Sequence, residues 1–409
     1  LTMAVISNLG LNNPNPQRGM AQRVVWMMSG WYPTPEKPGH GLFIRRQALA
    51  ASAFCPVGVA VAGGNVHQSE PYRLLVTTTG NLTEVVVTYK RSPRTVPLWS
   101  LLLRFPRWLS AYRRAFRVLE ERTGRPSLLH LHIAFPLGVL AWWVSRWYKV
   151  PLIISEQWSG YYPQDGRFDP LWVRLPTRWA LARAALVMPV SEHLASAMRE
   201  RGVAGPFRVV PNVVDGAAFP LRTRPPESGP PFRLLHVSAL NDHEKNVSGI
   251  LRVAQRLIQK GYKIELRLVG DHPERVHLQQ VAHRLGLDAH AQFLGFLPPA
   301  ALAHEYASAH LMVMFSWFET FSCVLAEAVG AGLPVVATRT GGIPEWLQDG
   351  DGLLVEPGDE PALERAIESM MALSEPMVPR NSEALRRRFS PEQVGKQLFA
   401  AYQHVWEMR

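Results

Sequence analysis

Two carboxylates, Glu319 and Glu327, stand with seven residues between them in a stretch whose local pattern fixes how they can be presented. The apolar run 311–315 has strand character, 316–320 breaks it, and Phe321, Val324, Leu325 and Ala328 then recur at helical spacing. Gly330 and Gly332 close that helix, and 333–338 is a second β-rich run followed by Gly341 and Gly342. The pattern predicts a βαβ unit whose loop carries Glu319 and whose helix carries Glu327. In the first turn of such a helix the N–H groups near Phe321, Ser322 and Cys323 lack intrahelical partners, so this end favours an anion such as a phosphate. At about 1.5 Å per residue Glu327 lies roughly 7 to 8 Å farther along, the span from a diphosphate to a nucleoside ribose. A carboxylate there can accept both ribose hydroxyls, with Glu319 on the other side of the phosphates. The same residues also suit a helix capped by Thr320 with Glu327 in solvent.

Other polar groups follow predicted strands. Lys245, one of only seven lysines, sits in the loop after the strand that begins at Phe232. The loop between the strand 24–29 and the helix 43–53 holds Gly39 and Gly41. That is a phosphate-cradle geometry, but it has neither G-x-G-x-x-G nor a Walker lysine, and a loop needing positive φ accounts for the glycines equally well. His130 and His132 share one face of a strand, where a metal would need a third ligand that the sequence does not place.

Glu319, Glu327, Ala328, the run Gly332-x-Pro334-Val335-Val336 and Gly341-Gly342-Ile343-Pro344-Glu345 together resemble the E-x(7)-E signature region of the family 4 glycosyltransferases, retaining enzymes of the GT-B fold. The likeness extends over about residues 23–406, with looser motifs in the first half. It implies that Glu319 contacts the donor sugar, that Glu327 binds the ribose, and that the helix start at Phe321, Ser322 and Cys323 holds the diphosphate together with Lys245. Gly270, Asp271 and Gly295 would form the wall beside the base. Gly39 and Gly41 would approach the donor phosphates or the acceptor from across the cleft, and His132 would lie near the reacting centre as a positioning group or proton partner. Pro211-Asn212-Val213-Val214-Asp215, followed by Phe219, resembles the interdomain segment.

Two positions depart from the pattern: Gln157 stands where many relatives have histidine, and Ala239 where many have an arginine six residues before the lysine. Gln157 can still hydrogen-bond a sugar. Trp158, with Tyr161 and Tyr162, either offers a sugar ring an apolar platform or covers the domain edge. Asp349-Gly350-Asp351 has D-x-D spacing but falls in a turn, and no metal or cofactor is expected beyond a nucleotide-diphosphate sugar as co-substrate. The expected activity is transfer of a sugar to an acceptor hydroxyl in cell-surface glycan, polysaccharide or glycolipid assembly. The rivals are a noncatalytic nucleotide-sugar-binding subunit of a glycan assembly complex, and an epimerase or hydrolase of the same fold.

The elements that position these groups need two cores. A chain of 409 residues with a 47% apolar fraction predicts two domains. The expected class is α/β, two Rossmann-like doubly wound domains facing a central cleft. The boundaries are a disordered tail at 1–22, a first, acceptor-side domain at 23–212, a proline-rich linker at 213–231, a nucleotide-sugar domain at 232–385 and a C-terminal helix at 386–409 that crosses back. A strand is expected at 207–210. Two cysteines, Cys55 and Cys323, suggest neither a disulfide framework nor a cysteine zinc site. No basic leader and no uninterrupted apolar run of spanning length occurs, so a cytoplasmic protein is expected, peripheral at the inner face of the membrane.

The net charge of +11 is lopsided. Residues 1–212 hold 25 Lys and Arg against 10 Asp and Glu, and the rest hold 19 against 23. An anionic membrane surface or a phosphate-bearing acceptor suits that asymmetry, and a glycan or lipid-linked acceptor is expected. Nucleic acid is not expected, because no basic recognition helix or aromatic RNA-binding signature is present. Leu101, Phe105, Trp108, Tyr112, Phe116 and Leu119 form a helical stripe among five arginines, suited either to a membrane interface or to packing on the chain's own sheet, and Pro106 argues against one continuous helix.

Overall fold

A computed structural model describes residues 23–91, 99–222, 226 and 230–408, with the side chains of 99–104 left aside. The tail expected at 1–22 lies outside the described residues, as does most of the centre of the proline-rich linker. Short β-rich runs with every residue buried set the architecture, because a parallel strand covered on both faces needs apolar side chains on both. The first such run is β1, Val25–Ser29, followed by α1, Leu42–Ser52. Then come β2, Val57–Asn65; β3, Tyr72–Thr79; β4, Leu82–Lys90; and α2, Trp99–Thr123. The domain continues through β5, Leu128–His132; α3, Gly138–Tyr148; β6, Leu152–Glu156; α4, Leu171–Leu181; β7, Leu186–Pro189; and α5, Glu192–Glu200.

These strands form a seven-stranded sheet in the order β3-β4-β2-β1-β5-β6-β7, parallel except for the edge hairpin β3–β4. The order runs outward in both directions from β1 and β5, which is the doubly wound pattern, and ligands of such sheets bind beyond the carboxyl ends of the strands. Those ends carry His132 on β5 and Glu156 on β6.

The second domain starts with β8, Phe232–Val237, and a one-turn helix α6, Asp242–Lys245, before α7, Val247–Gln259. It continues with β9, Ile264–Val269; α8, Arg275–Arg284; β10, Ala291–Gly295; and α9, Pro299–Ser308. Next are β11, Leu311–Met314; α10, Cys323–Gly330; β12, Val335–Thr338; β13, Gly352–Val355; and α11, Glu360–Met371. All six strands are parallel, in the order β10-β9-β8-β11-β12-β13. Two helices finish the chain, α12, Ser382–Arg388, and α13, Pro391–Glu407.

One face of α13 buries Val394, Leu398, Ala401, Tyr402 and Val405. That face lies on the first domain: the Tyr402 hydroxyl meets His130 Nδ1 at 2.9 Å, and Trp406 Nε1 donates to the Ser127 carbonyl at 3.2 Å. Gly395 lets the helix come close to α1, since a Cβ there would stand 2.4 Å from the Ala50 carbonyl oxygen.

Two local expectations are corrected. α2 runs unbroken through Pro106, and its inner face buries Tyr112, Phe116 and Leu119 against the sheet. Pro106 lies at the start of the third turn, where burial of the later turns outweighs one lost hydrogen bond. Residues 207–210 form no strand. They make a single bridge, Val187 to Phe207, with a further bond from Val210 N to the Pro189 carbonyl. Among the described residues no helix is long and apolar enough to cross a membrane.

Candidate functional site

β11 must hand the chain to α10 through a loop that reverses direction, and Ser322 does this in the left-handed region at φ 63°. Ser322 is the N-cap of α10, so the Thr320 cap is not formed. Its side chain does not bond the helix, and its buried Oγ has no partner. The loop is held from outside by Gly341 and Gly342. A Cβ on Gly341 would stand 1.4 Å from the Glu319 carbonyl oxygen, and one on Gly342 2.6 Å from that of Thr320. Only glycine permits that approach.

Both signature carboxylates are buried and both already hold cations. Glu319 Oε1 accepts from Lys245 Nζ at 2.8 Å and from Ser316 Oγ at 2.9 Å. Lys245 reaches it from α6, whose carbonyl at Glu244 also takes the Trp317 N–H at 2.9 Å. Beneath them His236 spans the Val313 carbonyl and Ser238 Oγ, and burial pushes its pKa down to about 4. Glu327, 2% exposed, has one oxygen on the Arg46 guanidinium of α1 and the other on the Tyr306 hydroxyl at 3.1 Å. Solvation of Glu327 is thereby excluded. Burial opposes the Arg46 charge, but Glu327 and the neighbouring Cys323 outweigh it and raise its pKa. Burial, then Glu327, pushes the Cys323 thiol up to about 12, so it stays protonated.

The first-domain groups are neutral and less satisfied. His132 is fully buried, 4.2 Å ring to ring from His130, and neither of its nitrogens has a partner. Burial lowers its pKa to about 3, so the ring is neutral. His130 instead joins Tyr402 to Ser155 Oγ and serves the fold. Gln157 Nε2 donates to Gln47 Oε1 at 3.2 Å, while Gln157 Oε1 is unpartnered. Gln47 continues the chain to Asn212 Oδ1 and the Pro211 carbonyl.

Trp158 is not a sugar platform. It is 6% exposed, stacks on Phe135, meets Tyr161 edge-on, and carries Arg167 near its ring at 5.8 Å. Apolar burial within the loop outweighs display at the cleft. Gly41 caps α1 at φ 70°, with its Cβ position 2.5 Å from the Trp31 carbonyl oxygen. Gly39 touches the second domain, where a Cβ would stand 2.6 Å from the Phe296 ring, next to Gly295. Gly295, at φ 71°, ends β10 and accepts from Gly270 N at 2.8 Å.

Asp351 is buried and accepts from Asn381 N and Nδ2, so the D-x-D turn uses this carboxylate for the fold.

The domains meet across the cleft through Arg46 and Glu327, through Tyr162 OH to the Glu319 carbonyl at 3.1 Å, and through Arg167 to Glu244 at 2.8 Å. Glu345 also crosses. Its carboxylate takes the first N–H groups of α5, at Glu192 and His193, a site where a helix end favours an anion. Beside these contacts an open cavity of about 590 Å³ is walled by Tyr162 and His193 on one side and His243, Trp317, Phe318 and Thr340 on the other. Its lining does not include Glu319, Glu327 or Lys245.

Sequence reasoning missed Arg46, Tyr306 and Glu156. Arg46 pairs with a residue 281 positions away, which no local pattern announces. Glu156 is buried and accepts from Ala134 N, Gln157 N, Trp158 N and Tyr161 OH, fastening the loops after β5 and β6. Its signal was a charged residue ending an apolar strand.

Comparison with known proteins agrees with this layout. The family pattern described as "Glycosyl transferase 4-like domain" matches residues 47–213, and that described as "Glycosyl transferases group 1" matches 231–372. The N-acetyl-alpha-D-glucosaminyl L-malate synthase of Bacillus anthracis is 32% identical over 176 residues, 42% of this chain and 45% of that protein. The alpha-monoglucosyldiacylglycerol synthase of Streptococcus pneumoniae is 25% identical over 244 residues, 56% of this chain and 55% of that one. The chain thus spans about half the length of these relatives. In fold it is similar to Anabaena HepE in complex with UDP-glucose, with a TM-score of 0.69 at 18% identity over 94% of this chain and 100% of that one. The fold is GT-B, and the chain belongs to the family 4 glycosyltransferases.

Proposed function

We propose that the protein is a retaining, metal-independent glycosyltransferase that moves a sugar from a nucleotide diphosphate to an acceptor hydroxyl. The observation that carries this reading is the pair of buried, cation-held carboxylates on either side of the α10 start, where Ser322 Oγ lies buried without a partner. A diphosphate at that start meets the free N–H groups of the first turn and Ser322 Oγ. Lys245 is within reach through its bond to Glu319. The ribose then takes Glu327 from Arg46. As the sugar–phosphate bond breaks, Lys245 and the helix start hold the charge on the leaving diphosphate. The acceptor oxygen bonds to the anomeric carbon on the face being vacated, and its proton passes to the departing phosphate oxygen. Glu319 fixes the sugar, and neutral His132 offers it a hydrogen bond.

The Anabaena protein's UDP-glucose makes a uridine nucleotide the first donor to try, and the diacylglycerol named in the streptococcal relative makes a lipid-linked acceptor the first class. Glycan or glycolipid assembly at the inner face of the membrane fits both. A noncatalytic nucleotide-sugar-binding subunit is the second reading, favoured by Ala239 and by the occupation of Glu327 by Arg46.

A thermal-shift panel of UDP, GDP, ADP, TDP and CMP on wild type and Glu327→Ala tests the donor site, since a bound nucleotide raises the melting temperature. A shift with one nucleotide that vanishes in the variant supports it. The matching sugar nucleotide, given with chelator and candidate acceptors, then separates transfer from binding alone.

A further inference from the structure

The outer helices of the first domain carry a surface that the cleft does not use. On α3, Val139, Trp143 and Trp147 recur four residues apart on the outside, and on α4 Leu171, Trp172 and Leu175 are exposed at one-, three- and four-residue spacings. Trp143 is 63% exposed, Trp147 83% and Trp172 71%. The two helices are locked together by Trp142 and Trp179, edge to face at 4.9 Å, so the stripes make one continuous face. Contiguous exposed apolar side chains of this size mark a contact surface.

The charges on α3 and α4 themselves are all of one sign, and of the acids that border them Glu120 holds the Tyr148 hydroxyl and Asp169 pairs with Arg201. α3, α4 and the residues that end them carry Arg146, Lys149, Arg174, Arg178 and Arg183, and no aspartate or glutamate. Arg146, Arg178 and Arg183 are exposed. Arg183 lies over the Trp179 ring at 4.1 Å, its charge at the rim of the aromatic face. α2 joins the same layer through the Tyr148 hydroxyl on Glu120 and adds exposed Arg113 and Arg117.

We propose that this face docks on an anionic lipid bilayer, with the indoles at the headgroup level and the cations on the lipid charges. Tryptophan ringed by arginine suits that boundary, where one end of the side chain is apolar and the other wet. A second copy of the chain does not fit: a symmetric dimer through this face would set like charge against like charge with no acid on either helix to pair. Single-stranded nucleic acid uses aromatic faces in a charged groove, whereas here Val139, Leu171 and Leu175 add exposed aliphatic groups to the indoles. The stripe on α2 that suggested an interface from sequence packs inward along its later turns, leaving Phe105 exposed near its start, and the exposed tryptophans are on its neighbours.

The placement also bears on the acceptor. α3 and α4 are the helices that follow β5 and β6, whose carboxyl ends face the cleft. Trp172 touches Phe135 at 5.8 Å, and Phe135 stacks on Trp158, next to Gln157. A bilayer under this face brings headgroup-borne hydroxyls to the rim of the cleft. That last step rests on the transfer reading; docking does not.

The test is sedimentation of the full chain with vesicles of phosphatidylcholine alone or with about one third phosphatidylglycerol, at low and high salt. Wild type is expected to pellet with the anionic vesicles at low salt and to be released by salt. Trp143→Ser with Trp147→Ser, and separately Arg146→Glu with Arg183→Glu, are each expected to lower that partitioning about tenfold or more. Their nucleotide-induced thermal shift should match wild type, which also shows that they fold. The proposal is overturned if wild type stays in solution, if both variants pellet as wild type does, or if wild type elutes as a dimer that the tryptophan variant makes monomeric. Loss of the nucleotide shift in wild type would sink the donor reading and leave docking standing.

Discussion

On the second-domain wall of the cleft Glu319 is held by Lys245 and Ser316 and Glu327 by Arg46 and Tyr306, whereas on the first-domain wall both nitrogens of His132 and Oε1 of Gln157 have no protein partner. The contrast follows from charge. A buried carboxylate persists only where cations or several hydrogen bonds satisfy it, as the N–H groups around Glu156 do, and Glu319 and Glu327 are satisfied through cations, so a ligand there must exchange for a protein partner. A neutral amide or imidazole can stay unpaired at a cost of about 1–3 kcal/mol, so the other wall has bonds to gain. Binding on the first is a substitution and on the second an addition, and the two respond differently to mutation.

The sharpest break in this comparison is Glu319→Gln. It keeps the shape of the side chain and removes its charge, and if that charge positions the donor sugar as proposed, transfer should fall about 10²–10³-fold, as for loss of one preorganised electrostatic contact. Lys245 loses its counter-charge and remains free for the diphosphate, so the nucleotide thermal shift should persist. A transfer rate within a few-fold of wild type would remove Glu319 from the chemistry.

Arg46→Met tests exchange directly. The variant leaves Glu327 buried beside Tyr306 without its cation, and the unliganded protein should lose about 3 kcal/mol, a buried pair broken on one side. The nucleotide-induced shift should grow, because ribose no longer competes with a guanidinium. If the shift shrinks instead, Arg46 assists the donor and does not compete with it.

How far each wall could be read from sequence follows the same divide. The βαβ unit that carries the two glutamates was legible because strand, loop and helix all lie within about thirty residues and each has its own period. The glycine pair was legible as a turn, but its function, letting residues 341 and 342 lie on the carbonyls of Glu319 and Thr320, appears only once the chain is folded. Arg46 was not legible at all: it stands on the buried side of α1, and its partner arrives from the other domain. Sequence left Trp158 open between platform and cover, because its exposure depends on Phe135 from the loop after β5 and on Arg167 farther along its own loop. The exposed tryptophans of α3 and α4 escaped notice because a helical apolar stripe reads the same whether it faces a sheet or solvent.

The neutral wall should show itself in acid. Burial lowers His132 to about 3 and His236 to about 4, against about 6.5 in an unfolded chain. Between those values the unfolded chain binds protons that the folded one refuses, so stability is full above pH about 6.5 and is lost as pH falls through this window. Each such histidine steepens the loss by up to ~1.4 kcal/mol per pH unit. His132→Asn removes one of them, and urea midpoints should decline less steeply with falling pH in the variant than in wild type. Parallel slopes would mean that protons reach His132 in the folded state.

The smallest effect is expected at Gln157, and it separates the walls most cleanly. Gln157→Leu loses one hydrogen bond to Gln47 and also removes the unpartnered Oε1, so the fold should change by less than about 1 kcal/mol. If the acceptor supplies the missing donor to Oε1, its KM should rise several-fold while kcat holds, the pattern of a contact made equally in the ground state and the transition state. The nucleotide shift should not move, because the Gln157–Gln47–Asn212 chain makes no hydrogen bond to Glu319 or Glu327. A lowered shift would mean that this chain, which ends in the interdomain segment, sets the closure on which the donor depends, and the two walls would then have to be treated as one site.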